Sequence, residues 1–175
     1  GIVGSYYFRM VPESYDEGVI RAIYDMGHEV GYHYEDMDFA KGDPHKAIRL
    51  FEQHLAKLRN VVPVSTICMH GSPRSPFDNK DVWKHYRYRD YQIIGEPYFD
   101  IDYRRVFYMT DTGRRWNGSS VSVRDKVEDH FGLVFRSTFD IVAAIRDNRF
   151  PQRAMLNFHP QRWTDNPTLW LSDKY

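Results

Sequence analysis

One cysteine, no net charge and no long apolar run are the shortages of this 175-residue sequence, and each excludes something. Cys68 cannot form an internal disulfide, and one thiol builds no thiolate zinc cluster. It sits inside the apolar run Thr66-Ile67-Cys68-Met69 and reads as a buried structural thiol. Lys and Arg number 24 against 24 Asp and Glu, so there is no electrostatic footprint for nucleic acid or for an anionic membrane. Arg87-Tyr88-Arg89 and Arg104-Arg105 are basic, but acids flank them and they read as solvated surface. No stretch approaches the ~20 apolar residues of a membrane-spanning helix, and no signal peptide is visible. Aromatic residues are plentiful at 16%, which offers platforms for sugar faces as well as ordinary packing.

The length suits one domain, 1–175, with a real core. Apolar, strand-like runs alternate with helical patterns. Strands are expected at Ile2–Phe8, Glu29–Tyr32, Ser65–Met69, Tyr91–Ile94, Val106–Thr110 and Ala154–Phe158. A helix beginning at Pro12-Glu13-Ser14 carries Val19, Ile20 and Ile23 and stops at Gly27. A longer one is capped by Gly42-Asp43-Pro44, runs to about Asn60, and has Ala47, Ile48, Phe51, Leu55 and Leu58 as its stripe. Asp78-Asn79 caps a short helix, and Ser137 or Thr138 caps a last one with Ile141, Val142 and Ile145 inward. The segment between Asp111 and Arg136 is too long for a plain connector and reads as a functional loop. Strands alternating with helices imply an α/β fold with a largely parallel sheet, open or closed into a barrel.

Three of these strands end on histidines: His33, His70 and His159. Two more end on carboxylates, Glu96 and Asp111. Residues just past parallel strands converge on one rim, where such folds place their chemistry. His33-Tyr34-Glu35-Asp36 offers a nitrogen and two carboxylates, a donor set suited to a divalent cation of the zinc type. His70, next to Gly71, adds a second imidazole. Asp111-Thr112-Gly113-Arg114-Arg115-Trp116 gathers a carboxylate, two guanidinium groups and an indole, able to hold an oxyanion and stack on a sugar. An imidazole's unperturbed pKa lies near neutrality, so His159 suits a general acid or base.

Gly27-His28-Glu29-Val30-Gly31-Tyr32-His33 resembles the G-H-E-[IV]-G-x-H segment of polysaccharide deacetylases with the NodB-homology fold. The resemblance continues through Thr66–Pro73, Asp111–Trp116 and Asn157-Phe158-His159, most like a branch associated with bacterial O-antigen gene clusters. It implies a distorted, seven-stranded parallel β/α barrel and a zinc-dependent, cytoplasmic bacterial hydrolase. The reaction it implies is removal of an N-acetyl or related acyl group from a polysaccharide or its sugar precursor. By the same resemblance His33, with His70, Glu35 and Asp36, would hold the metal. His159 would protonate the leaving amine, and Arg114 or Arg115 would stabilise the oxyanion beside Asp111. Trp116, Tyr34, Glu96 and Trp163 would contact the carbohydrate.

Two positions depart from the family pattern. The family's second metal histidine, four residues after the first, is Met37 here, and His70 is the favoured replacement. The family's opening Asp-rich strand, which supplies a ligand and the base, has no counterpart before Ile2–Phe8. The expectation is a barrel incomplete at its N-terminus, with Ile2–Phe8 as an edge strand; a homo-oligomer is one way to cover such an edge. A carbohydrate-binding or scaffold domain without catalysis, and a metal-dependent hydrolase of phosphate esters, are the rival readings.

Overall fold

Every second residue of the strand Glu29–Tyr34 (β2) is apolar and buried, and the first part of the protein is organised around it. The computed structural model describes residues 1–72, 75–112, 116, 127, 130–160 and 163–168. The chain divides into two compact units, Gly1–Ile101 and Asp102–Tyr175.

In the first unit Ser5–Phe8 (β1) and Ile67–Met69 (β3) flank β2 in a parallel sheet of order β1-β2-β3. Gly31 is needed in the middle strand. A Cβ there would run into the Tyr7 ring, whose residue pairs with it in register, and stand 3.0 Å from the Thr66 carbonyl oxygen. The helix Glu17–Asp25 (α1) starts where the Asp16 carboxylate accepts the Val19 N–H, and the chain leaves it through Gly27 at φ +86. A single turn, Asp36–Phe39 (α2), follows β2. The helix Pro44–Arg59 (α3) has Asp43 accepting the N–H groups of His45 and Lys46, and Lys57 and Arg59 in its last turn. Its stripe of Ala47, Ile48, Phe51, Leu55 and Leu58 packs with Ile20, Val30, Tyr32 and Tyr34 as one core. Asn79–Lys84 is a short 3-10 helix capped by Asp78, and Pro97–Asp100 (α4) is capped by Glu96.

In the second unit Phe107–Thr110 (β4) pairs in parallel with Ala154–Asn157 (β5), and Thr138–Arg146 (α5) connects them. A reciprocal capping box between Ser137 and Asp140 starts α5. The core is Phe107, Met109, Trp116, Phe135, Ile141 and Ala144.

Several expectations are corrected. Among the described residues the strands lie in two small parallel sheets, of three and two strands, and neither closes, so the seven-stranded β/α barrel is not the fold. The strand that would extend the sheet beyond β3 does not form. Tyr88–Tyr91 is a 3-10 turn, Gln92 takes a left-handed φ of +59, and only one bridge, Thr66 to Gly95, reaches β3's flank. Pro12–Ser14 is a turn before α1, not its first turn. In α5 Val142 and Ile145 are exposed, and Ala144, three residues from Ile141, takes the inward place. Most of the expected 111–136 loop lies outside the described residues.

Candidate functional site

β2 runs two residues further than its apolar run suggests, so His33 lies within the strand and Glu35 is the residue that leaves it. Strand alternation turns Tyr32 and Tyr34 into the core and His33 to the other face. There the His33 Nδ1–H donates to the Cys68 carbonyl (2.8 Å), which leaves Nε2 as the lone-pair nitrogen. Desolvation, and then the neighbouring His70, push the His33 imidazole down to about 4, so it stays neutral. The two rings stand edge to face with centroids 5.1 Å apart.

His70 follows β3. Its N–H donates to the Tyr34 carbonyl (2.8 Å) and its carbonyl accepts from Asn79 Nδ2 (2.8 Å), which fixes the backbone on both sides of the ring. His70 Nδ1 lies 3.1 Å from Glu35 Oε2, in ion-pair range. It is nevertheless buried and has no partner in hydrogen-bond geometry among the described residues. Glu35 is itself buried, and Arg9 grips it with Nε to Oε1 (2.9 Å) and Nη2 to Oε2 (2.8 Å). Burial raises the Glu35 carboxyl, but His70 and Arg9 outweigh that and hold it down at about 2.

The third group of this cluster is Asp38, which sequence reasoning missed. Asn79 Nδ2 donates to its Oδ2 (3.2 Å), the Ser75 hydroxyl donates to its Oδ1, and Asn79 Oδ1 accepts the N–H groups of Met37 and Asp38. One donor atom each from Glu35, Asp38 and His70 lie within 4.8 Å of one another. A nitrogen and two carboxylate oxygens suit zinc, and the buried His70 Nδ1, beside Glu35 but outside hydrogen-bond geometry, is the kind of atom a cation would satisfy.

Asp36 is not brought to this cluster. Its carboxylate accepts the Tyr32 hydroxyl (2.8 Å) and sits 2.7 Å from His54 Nδ1, under α3. Burial raises the Asp36 carboxyl despite both partners. Tyr34 and Glu96 are fully buried and bonded to each other, Tyr34 Oη to Glu96 Oε1 at 3.3 Å, so neither presents a surface to a sugar. Glu96 also accepts the N–H groups of Met69 (3.1 Å) and Tyr98 (2.6 Å), yet desolvation still raises its carboxyl to about 7.

The second unit holds its own arrangement. Asp111, buried at the end of β4, takes the His159 backbone N–H (2.9 Å) and the Trp163 indole N–H (2.8 Å) on Oδ2. Its Oδ1 sits 2.5 Å from His159 Nδ1. Burial raises the Asp111 carboxyl, and the bonds from His159 and Trp163 outweigh it and hold the group below its ordinary value. Trp116 is buried and packs on Phe158 and Trp163, and its indole N–H donates to Thr138 (3.0 Å). Arg114 and Arg115 lie outside the described residues.

Comparisons with protein-family models, with curated proteins and with solved structures return no match to this chain. No described helix is long and apolar enough to cross a membrane.

Proposed function

We propose that the protein is a divalent-metal-dependent hydrolase that removes an acyl group, of the N-acetyl kind, from a carbohydrate. The observation that carries the metal part is the meeting of Glu35, Asp38 and His70 around a buried ring nitrogen without a hydrogen-bond partner among the described residues. A divalent cation, zinc by this donor set, would supply a Lewis acid and lower the pKa of its water. Glu35 is ionised across the neutral range and Arg9 holds its orientation. Asn79 and Ser75 set the rotamer of Asp38. His33 adds a neutral imidazole beside His70.

The second unit holds a carboxylate–imidazole pair of its own, Asp111 and His159. A buried carboxylate on Nδ1 fixes the imidazole tautomer and orients the ring, as a general acid or base in hydrolysis requires. The acyl and carbohydrate specificity rests on the residue resemblance alone.

A non-catalytic carbohydrate-binding or scaffold domain is the second reading. It is favoured by Arg9, which already satisfies both Glu35 oxygens. The deciding experiment measures acetate release from N-acetylglucosamine oligomers, after chelation and after zinc is restored. Zinc-dependent acetate release supports the proposal. Zinc-dependent phosphate release from p-nitrophenyl phosphate without acetate would transfer the site to another hydrolase class. Neither activity, together with no zinc binding, would favour the scaffold.

A further inference from the structure

A cavity in the first unit, of about 570 Å³, lies between the 3-10 helix Asn79–Lys84, the turn Tyr88–Tyr91 and α4. The size is that of a small-molecule site, which typically spans roughly 300–1,000 Å³. Its lining includes four aromatic rings, Trp83, Tyr86, Tyr88 and Phe99, the last two nearly parallel at 10° with centroids 6.1 Å apart. Its charged lining is four cations, Lys80, Lys84, Arg87 and Arg89, against the single acid Asp81.

Those cations are not equivalent. Lys84 is paired with Asp81 (2.8 Å), Arg89 with Asp100 (2.7 Å), and Lys80 stands 3.7 Å from Asp78. Arg87 is exposed and has neither an ion pair nor a side-chain hydrogen bond among the described residues. The cleft thus joins aromatic side chains to one guanidinium without an ion pair, with ammonium groups beside it. The lining carries one carboxylate, paired with Lys84, against four cations, a balance that favours an anionic ligand over a neutral sugar. A flat ring carrying a phosphate fits both halves: the ring against the aromatic walls, the phosphate on Arg87 in the two-pronged geometry guanidinium favours.

We propose that this cleft binds a nucleoside phosphate, base on the aromatic walls and phosphate on Arg87. The inference is independent of the metal centre and of the hydrolytic reading. The test titrates the protein with the four ribonucleoside 5′-monophosphates, the four nucleosides and inorganic phosphate. Calorimetry reads binding, and tryptophan fluorescence reports on Trp83 in the wall.

At least one nucleotide should bind, with its nucleoside weaker by tenfold or more. Arg87→Ala should weaken that nucleotide by tenfold or more and leave the nucleoside unchanged. Phe99→Ala should weaken both. Phe99 is half exposed, and both variants are expected to keep the native circular dichroism. Absence of binding by every nucleotide at millimolar concentration would overturn the proposal. So would nucleotide affinity that is indifferent to both substitutions, or a nucleoside that binds as tightly as its phosphate.

Discussion

Glu35 and Asp38 bring their carboxylates to one side of a single helical turn, and His70 meets them there, with one donor atom from each inside a 4.8 Å cluster. The spacing explains the geometry. Residues three apart on a helix share a face, whereas the adjacent Asp36 is turned by about 100° and enters the core. The neighbouring acids of one short segment therefore do different work: Glu35 and Asp38 cluster with His70, and Asp36 anchors α2 to His54 and Tyr32.

Asp36 should matter to stability and not to metal. Replacing His54 with Ala leaves a buried carboxylate with only the Tyr32 hydroxyl, which should cost about 1–3 kcal/mol. Urea denaturation measures the loss, and zinc affinity should be unchanged. An Asp36→Asn protein of full stability that had lost zinc would return Asp36 to the ligand set.

The Asp111–His159 pair makes a prediction on two readouts. Asp111→Asn removes the acceptor from the imidazole, the His159 N–H and the Trp163 indole at once. Turnover on an acylated sugar should fall by roughly a hundredfold or more, in line with the worth of a positioned acid or base, with metal content unchanged. Because the folded Asp111 carboxyl lies below its ordinary value, its stabilisation is complete above about pH 4 and fades as pH falls through the folded value. The variant should lack that acid-side decline in thermal denaturation between pH 5 and 2.

Glu96 predicts a slope of opposite sign. Its carboxyl is raised from 4.5 to about 7, so the folded state holds the proton more tightly than the unfolded chain does. Its contribution is full below about pH 4.5 and is lost as pH rises to about 7, on the order of 3 kcal/mol in all. His33, lowered from 6.5 to about 4, acts the other way over part of the same range. The informative quantity is therefore the stability of the protein minus that of Glu96→Gln at each pH. That difference should shrink steadily from pH 5 to 8, and a flat difference would show that Glu96 ionises normally.

What the sequence made legible was local. Asp43-Pro44 and the stripe from Ala47 to Leu58 define α3 without reference to anything else, and the helix forms with those residues buried. Gly27 and Ser137 mark helix ends for the same reason: caps act within one turn. Tyr91–Ile94 misled because a short apolar run carries no period of its own. Only the left-handed Gln92 and the lone bridge at Gly95 show that the chain turns there. The His33 and His70 rings stand 5.1 Å apart because adjacent parallel strands deliver them. Asp38 was not legible, because α2 is too short to show a period and the partner that orients Asp38, Asn79, lies 41 residues away. The i, i+3 spacing of Glu35 and Asp38 was the one signal that could have found it.

The central claim is that Glu35, Asp38 and His70 hold a divalent cation. Calorimetric titration of the chelator-treated protein with zinc, repeated on His70→Ala and Asp38→Asn, tests it most directly. One equivalent should bind tightly to the protein, and each substitution should weaken it by a hundredfold or more while the circular dichroism stays native. No zinc binding by the unsubstituted protein, or binding that survives both substitutions intact, would contradict the account.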